Sequence, residues 1–126
     1  MRVLLVEDDP VTATLEQALP QGAGFTCDVA DLGEVGLALA ESYSDYDVIV
    51  LDLMLPDVMG CDLIRSWRSD GIKTPILIVS GDRDASKAGL GLGANDFLAK
   101  PFENAELIAR IKAVAEQPRA ASEKQV

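Results

Sequence analysis

The residues best suited to chemistry in this sequence are acids that directly follow apolar, strand-forming runs. Glu7 and Asp8 follow the run VLLV, and Asp52 follows VIVL before the apolar residues resume. A carboxylate held beside apolar side chains loses hydration, so its charge needs compensation nearby. The sequence must therefore supply cations or hydrogen-bond donors close to these acids.

Two later apolar runs also end in a polar side chain. Ser80 ends the run ILIVS, and Lys100 follows DFLA. Closely packed carboxylates raise one another's pKa unless cations intervene, so one lysine and one divalent ion would balance the acids. Mg²⁺ is the expected ion, because it prefers carboxylates and water and the sequence contains no histidine.

A cation, an amine, a hydroxyl and an exposed carboxylate together suit phosphoryl transfer, which depends mainly on positioning and charge neutralisation. We expect Asp52 to be the nucleophile, forming an aspartyl phosphate, because it lies centrally and leaves Glu7 and Asp8 to hold the metal. Taken singly, Asp52 or Ser80 could instead be a turn residue. The coincidence of polar groups after four separate strands favours the chemical site.

Lys100 and Asp9 also have structural interpretations. Lys100 could be a solvated loop residue, although a cis bond to Pro101, at a cost of about 0.5 to 1 kcal/mol, would help to direct it inward. Asp9 is followed by proline, which is typical of a helix N-cap followed by the first helical residue. We therefore interpret Asp9 as a cap rather than as a ligand.

The elements that would position these groups alternate between short apolar runs and segments of helical spacing. This alternation predicts an α/β fold: a flavodoxin-like, doubly wound (βα)5 domain with a five-stranded parallel sheet of order 2-1-3-4-5. In that order a crevice opens at the carboxyl ends of the first and third strands, where the acids lie. Strands are predicted near 2–6, 25–30, 48–51, 76–79 and 96–99, and helices at roughly 10–19, 33–43, 59–69, 84–92 and 103–116.

Composition narrows the class of protein. The 126 residues, 48% of them hydrophobic, suit one domain, which we expect to span 1–117, with a flexible tail or linker at 118–126. The formal net charge of -10 disfavours direct binding to nucleic acid and to anionic membranes. Cys27 and Cys61 lack metal-ligand spacing, so we expect buried free thiols. Neither a membrane span nor a secretion signal is visible, so the predicted location is cytoplasmic.

The stretches VLLVEDDP, VIVLDLMLPDVMG, LIVSGD and GANDFLAKPF resemble, in order and spacing, the receiver domains of two-component response regulators. The likeness covers residues 1–116 and is greatest to receivers that precede winged-helix DNA-binding domains. It implies a Mg²⁺-dependent switch that takes a phosphoryl group from a histidine kinase or histidine phosphotransfer protein. It further implies transcriptional regulation through a fused or partner output, with only self-catalysed phosphorylation and dephosphorylation.

The resemblance assigns the residues of the metal and phosphorylation site by position. It makes Asp52 the phosphoacceptor, and Glu7 and Asp8 the acidic pair of the Mg²⁺ site. The backbone carbonyl of Met54 would complete the ligands supplied by the protein. In the family, the residues at the positions of Met54 and Asp82 influence the lifetime of the phosphoryl group.

The resemblance also implies a switch and a dimer face. Ser80 matches the hydroxyl that turns toward the phosphoryl group, Lys100 matches the family lysine, and Phe97 stands at the aromatic switch position, where tyrosine is common. Inward movement of Ser80 would free space for Phe97 and remodel the face made by the fourth helix, fifth strand and fifth helix. In the winged-helix class this face forms a homodimer, whose charge pairs would involve Lys87, Asp96, Glu106 and Arg110.

Three other functions remain open at this point. An aspartate-nucleophile phosphatase would carry a second acid two residues after its nucleophile, where Met54 stands here. A flavodoxin would need hydroxyls and backbone donors after its first strand, whereas acids there would repel the flavin phosphate. A degenerate receiver that acts only as an interaction module is disfavoured by the matched site residues.

Overall fold

The computed structural model describes residues 1–43 and 45–117, which fold as five alternating pairs of strand and helix. The predicted tail at 118–126 lies outside the described residues, so the domain boundary stays a prediction. The strands are β1 (Arg2–Val6), β2 (Thr26–Ala30), β3 (Val48–Leu51), β4 (Ile76–Ser80) and β5 (Asp96–Ala99). The helices are α1 (Pro10–Gly22), α2 (Gly33–Ser42), α3 (Gly60–Ser69), α4 (Arg83–Leu92) and α5 (Asn104–Ala115).

The strands form one parallel sheet in the order β2-β1-β3-β4-β5, which confirms the predicted fold class. Val6 pairs with Leu51 at the carboxyl ends of β1 and β3, and Ser80 pairs with Ala99 at the ends of β4 and β5. Because parallel strands run in one direction, the polar residues that follow these pairs lie at one edge. The register therefore assembles the predicted site.

The sheet is covered on both faces, which explains why its central strands are continuous apolar runs. One face packs around Trp67 of α3, which is fully buried, and the other around Leu107, Ile111 and Val114 of α5. Every residue of β3 and β4 is buried. This close packing gives the loops at the carboxyl edge a rigid base.

Helix α1 begins as predicted but ends later. The side chain of Asp9 accepts a hydrogen bond from Thr12 N at 2.9 Å, which confirms it as the N-cap. The helix was predicted to end near residue 19, yet it continues through Pro20 to Gly22. Pro20 lies in the last turn of the helix, and Phe25 N donates to its carbonyl at 2.9 Å.

Two further predictions can be compared with the structure. Cys27 and Cys61 are both free, but only Cys27 is buried, because Cys61 at the start of α3 lies partly at the surface. Within 1–43 and 45–117, no helix combines the length and the apolar character that a membrane span requires.

Candidate functional site

Three carboxylates meet at the carboxyl edge of the sheet. Glu7 follows β1 and is 1% exposed, Asp52 follows β3 and is 8% exposed, and Asp8 is exposed. One carboxylate oxygen from each residue lies within 4.8 Å of the other two. The structure thus brings together the three acids that the sequence suggested for the metal site.

Lys100 extends from the end of β5 into this cluster. Its Nζ lies 2.8 Å from Glu7 Oε1 and 3.9 Å from Asp52 Oδ2. The peptide bond between Lys100 and Pro101 is cis, as the sequence suggested it could be. One lysine therefore contacts both buried acids.

The charged groups of the site shift the pKa values of Glu7 and Lys100. Burial raises the pKa of Glu7, and the hydrogen bond from Lys100 opposes this rise, while the neighbouring Asp52 adds to it. Burial alone would lower the pKa of Lys100, but its hydrogen bond to Glu7 and the Asp52 charge raise it above its ordinary value. The close carboxylates therefore stabilise the charged amine.

The donor set fits a small divalent cation. Three carboxylates, Glu7, Asp8 and Asp52, face one amine, so one lysine cannot neutralise them all. Carboxylate oxygens are the ligands that Mg²⁺ prefers, and the exposed side of the cluster leaves room for its waters. This imbalance between carboxylates and amines is a physical reason for a cation to bind here.

The loop between β3 and α3 holds Asp52 in a tight turn. Met54 N donates to Asp52 Oδ1 at 3.2 Å, and Met54 pairs with Met59 in a short antiparallel bridge. Gly60 N also donates to the carbonyl of Leu53 at 2.9 Å. A Cβ at Gly60 would lie 2.5 Å from Leu53 Cα, so only glycine allows this close approach.

Ser80 and Phe97 lie on the neighbouring strands. Ser80 is buried at the end of β4, where its Oγ accepts a hydrogen bond from Asp82 N at 3.2 Å. Asp82 is also the N-cap of α4 and accepts from Ala85 N at 3.0 Å. Phe97 on β5 is partly buried against the core that contains Trp67. The switch roles that the resemblance implies for Ser80 and Phe97 stay predictions.

The comparisons with known proteins agree with this geometry. Residues 3–112 match the family model of the response regulator receiver domain. The chain belongs to this family. The receiver resembles a solved Francisella response regulator 1452 receiver domain with a TM-score of 0.84, at 33% identity over 91% of this chain and 96% of that one.

A second similar structure was solved with a metal. It is the receiver domain of the sensor histidine kinase PA1611 from Pseudomonas aeruginosa, with a magnesium ion coordinated in its active-site cleft. Its TM-score to this receiver is 0.83, at 31% identity over 92% of this chain and 98% of that chain. A protein of the same fold thus binds Mg²⁺ in its own active-site cleft.

Curated relatives include the cell cycle response regulator CtrA of Brucella ovis and that of Brucella anthropi. Each is 45% identical over 121 residues, which is 94% of this chain but 52% of the relative. The receiver thus spans about half the length of these curated relatives.

The predicted dimer-face residues of the receiver lie at the surface of α4, β5 and α5. Arg110 contacts Asp96 at 3.2 Å and Glu106 at 3.6 Å within the same chain, and it donates to the carbonyl of Phe97 at 2.8 Å. Lys87 on α4 is exposed. The charge pairs between two chains stay a prediction, because the described ion pairs of Arg110 are internal.

Two residues near the site were missed by sequence reasoning. Glu16 of α1 is 2% exposed, and its Oε2 has no hydrogen-bond partner among the described residues. Asp57, in the loop that carries Asp52, bonds to the first turn of α2. The sequence shows that Leu32, which precedes Gly33, cannot cap a helix with its side chain, but it does not show which distant residue supplies the acceptor.

Proposed function

We propose that this receiver is a Mg²⁺-dependent phosphoacceptor switch, which takes a phosphoryl group onto Asp52 from a histidine kinase or a histidine phosphotransfer protein. The observation that carries the proposal is the contact of Lys100 with Glu7 and Asp52 beside the exposed carboxylate of Asp8. The Mg²⁺ in the cleft of the PA1611 receiver supports the choice of cation.

In the proposed transfer, a carboxylate oxygen of Asp52 attacks the phosphorus of the donor phosphohistidine. The new O–P bond forms as the P–N bond to the imidazole breaks, and the departing nitrogen takes a proton from solvent. Bound Mg²⁺ would neutralise charge on the phosphoryl oxygens, held by Glu7, Asp8, Asp52 and the Met54 carbonyl. The Lys100 ammonium, already 3.9 Å from Asp52, would stabilise a second oxygen.

The proposed output begins at Ser80. Phosphorylated Asp52 carries up to about two negative charges, which attract the Ser80 hydroxyl. Ser80 would then exchange its hydrogen bond with Asp82 N for one to the phosphoryl group, and Phe97 would turn into the space behind it. Because Arg110 donates to the backbone carbonyl of Phe97, a shift of β5 that accompanies this turn would reach the surface of α5.

That surface is the proposed site of signalling. By analogy with the CtrA relatives, the receiver would regulate transcription through a fused or partner output. A homodimer through α4, β5 and α5 would use Lys87 with Glu106 and Asp96 with Arg110 across two chains. Sedimentation velocity with and without beryllofluoride tests this part, and a single monomeric species in both conditions would contradict it. The cytoplasmic location stays a prediction.

The acceptor is tested by intact-mass analysis after incubation with acetyl phosphate and Mg²⁺. We expect the wild type to gain about 80 Da, the mass of one phosphoryl group, and Asp52→Asn to gain nothing because its amide is a poor nucleophile. Asp62→Asn, at an exposed acid on α3, is the matched control and should be labelled like the wild type. Equal labelling of Asp52→Asn would show that Asp52 is not the acceptor.

A further inference from the structure

The first turn of α2 is capped from outside the helix. Its N-cap residue is Leu32, whose side chain forms no capping hydrogen bond. Instead, Gly33 N donates to Asp57 Oδ1 at 2.8 Å, and Glu34 N donates to Asp57 Oδ2 at 3.0 Å. The free N–H groups of a helix start need acceptors, and here the loop that carries Asp52 supplies both.

The contact between α2 and this loop is close. A Cβ at Gly33 would lie 2.2 Å from Val58 Cγ2, so a larger residue would push the loop away. One turn further, a Cβ at Gly36 would lie 2.7 Å from Val6 Cγ2. Val6 directly precedes Glu7. The start of α2 therefore packs against both segments that carry the buried acids of the metal site.

Asp57 is well suited to hold this contact. The backbone hydrogen bonds from Glu34 and Gly33 lower the pKa of its carboxyl group, so the group stays charged at neutral pH. A carboxylate at a helix N-terminus also interacts favourably with the helix dipole. Each of its two oxygens accepts a hydrogen bond from α2, which fixes the orientation of the side chain.

The position of Asp57 in its loop connects this contact to the site. Asp57 lies in the turn between Met54 and Met59, which pair with each other. Met54 N in turn donates to Asp52 Oδ1. A displacement of Asp57 would shift the turn, and through the bridge it would move Met54 and the carboxylate that Met54 orients.

We propose that Asp57 is a positioning residue: by holding the first turn of α2, it fixes the Asp52 carboxylate and the Met54 carbonyl in the arrangement that binds Mg²⁺. The inference rests on the proposed function, since it concerns the same metal site. Asp57 itself is not a ligand in this account. It acts through the loop, as residues behind metal ligands commonly do.

The test is isothermal titration of the full 126-residue chain with Mg²⁺ alone. We expect Asp57→Ala to weaken Mg²⁺ binding by about tenfold, the lower end of the effect of residues that orient metal ligands. Asp57→Asn should bind with intermediate affinity, because its amide oxygen accepts one of the two hydrogen bonds. Wild-type affinity in Asp57→Ala would overturn the proposal.

A double variant distinguishes two roles of Asp57: positioning the metal site and capping α2. Leu32 has an extended backbone, as N-cap residues do, so Leu32→Ser can cap α2 locally. We expect Leu32→Ser combined with Asp57→Ala to regain thermal stability while Mg²⁺ binding remains weak. Recovery of the affinity together with the stability would reduce Asp57 to a cap and overturn the inference.

Different results would contradict the role of Asp57 and the proposed function. If the wild type binds no Mg²⁺ and Asp52 is not labelled by acetyl phosphate, the proposed function is wrong. If the wild type binds Mg²⁺ and is labelled while all Asp57 variants bind equally well, only the inference is wrong. Should Asp57→Ala fail to fold, Asp57→Asn and the double variant decide the question.

Discussion

The charged side chains at the two ends of the sheet differ in their partners and in their burial. At the amino end, Arg68 of α3 donates to the carbonyls of Ile72, Thr74 and Gly93 and to the side chain of Asn95, at 2.8 to 3.2 Å. These residues precede β4 and β5. The Arg68 guanidinium therefore connects α3 to the segments that precede β4 and β5 through several hydrogen bonds.

Arg2 acts similarly at the start of β1. It contacts Asp28 at 2.8 Å and Asp45 at 2.7 Å, and its guanidinium lies over the rings of Tyr43 and Tyr46. At this end of the sheet the side chains of Arg2, Asp28 and Asp45 are each at least one-third exposed, so water also screens their charges. The hydrogen bonds and ring contacts of the two arginines suit structural roles.

At the carboxyl end, three carboxylates lie beside the amine of Lys100. Among the described ion pairs, Glu7 and Asp52 share one amine, that of Lys100, and both of these acids are buried beside the exposed Asp8. A structural cluster would be expected to match its charges, because an unpaired buried charge is costly. The proposed function gives a reason for this difference, since a divalent cation and a phosphoryl group would change the charge of the carboxyl end during the proposed cycle.

Loss of the amine at the carboxyl end has the largest expected effect. Lys100→Met should slow labelling by acetyl phosphate by about a hundredfold, because a preorganised positive group near the phosphoryl oxygens is lost. Lys73→Met, at an exposed lysine near the amino end, is the matched control. Time-resolved intact-mass measurements give both rates. Equal labelling rates in Lys100→Met and Lys73→Met would show that the lysine at the carboxyl end has no special role in phosphorylation.

Loss of the cation at the amino end should affect stability instead. Arg68→Met leaves carbonyls without a charged donor and should lower the free energy of unfolding by about 2 kcal/mol, as measured by urea denaturation. Arg65→Met, on the same helix but paired only with Asp62 among the described ion pairs, should change it little. Labelling of Arg68→Met should proceed at the wild-type rate, and slow labelling of this folded variant would contradict the comparison.

Glu16 is a further buried acid near the carboxyl end, and no cation among residues 1–43 and 45–117 lies at hydrogen-bond distance from it. Burial, and then the charge of Glu7, raise its pKa from 4.5 to about 8. The folded state therefore prefers neutral Glu16, whose stabilising contribution is present below pH 4.5 and is lost as the pH rises through about 8. Glu16→Gln should remove this dependence and be more stable than the wild type by about 1 kcal/mol at pH 9.

Urea denaturation at pH 5 and pH 9 measures this effect. Glu103→Gln, at an exposed acid, is the control and should follow the wild type at both values. If Glu16→Gln and the wild type lose the same stability between pH 5 and pH 9, Glu16 does not titrate in the folded state as described.

The sequence was sufficient to predict the fold and the grouping of three polar side chains at one edge of the sheet. Apolar runs fix the strands, and parallel strands bring the residues that follow them to one edge. Glu7, Asp52 and Lys100 could therefore be grouped before any coordinates were known. Asp9 was equally predictable, because a helix cap depends only on neighbouring residues.

The remaining features depend on packing between distant segments. Asp57 and Gly33 are 24 residues apart, and no local pattern joins them. In α1, the apolar Val11 and Leu15 are exposed while the acidic Glu16 is buried, so hydrophobic spacing alone gives the wrong buried face. Tertiary contacts decide which side of this helix faces the sheet, and a single sequence does not encode them in a visible period.

A crystal structure grown with Mg²⁺ and beryllofluoride tests the central claim most directly. We predict a metal ion held by Glu7, Asp8, Asp52 and the Met54 carbonyl, with beryllofluoride on Asp52 and Lys100 Nζ at hydrogen-bond distance from a fluorine. A metal bound elsewhere, or an adduct on another residue with Lys100 turned to solvent, would contradict the account.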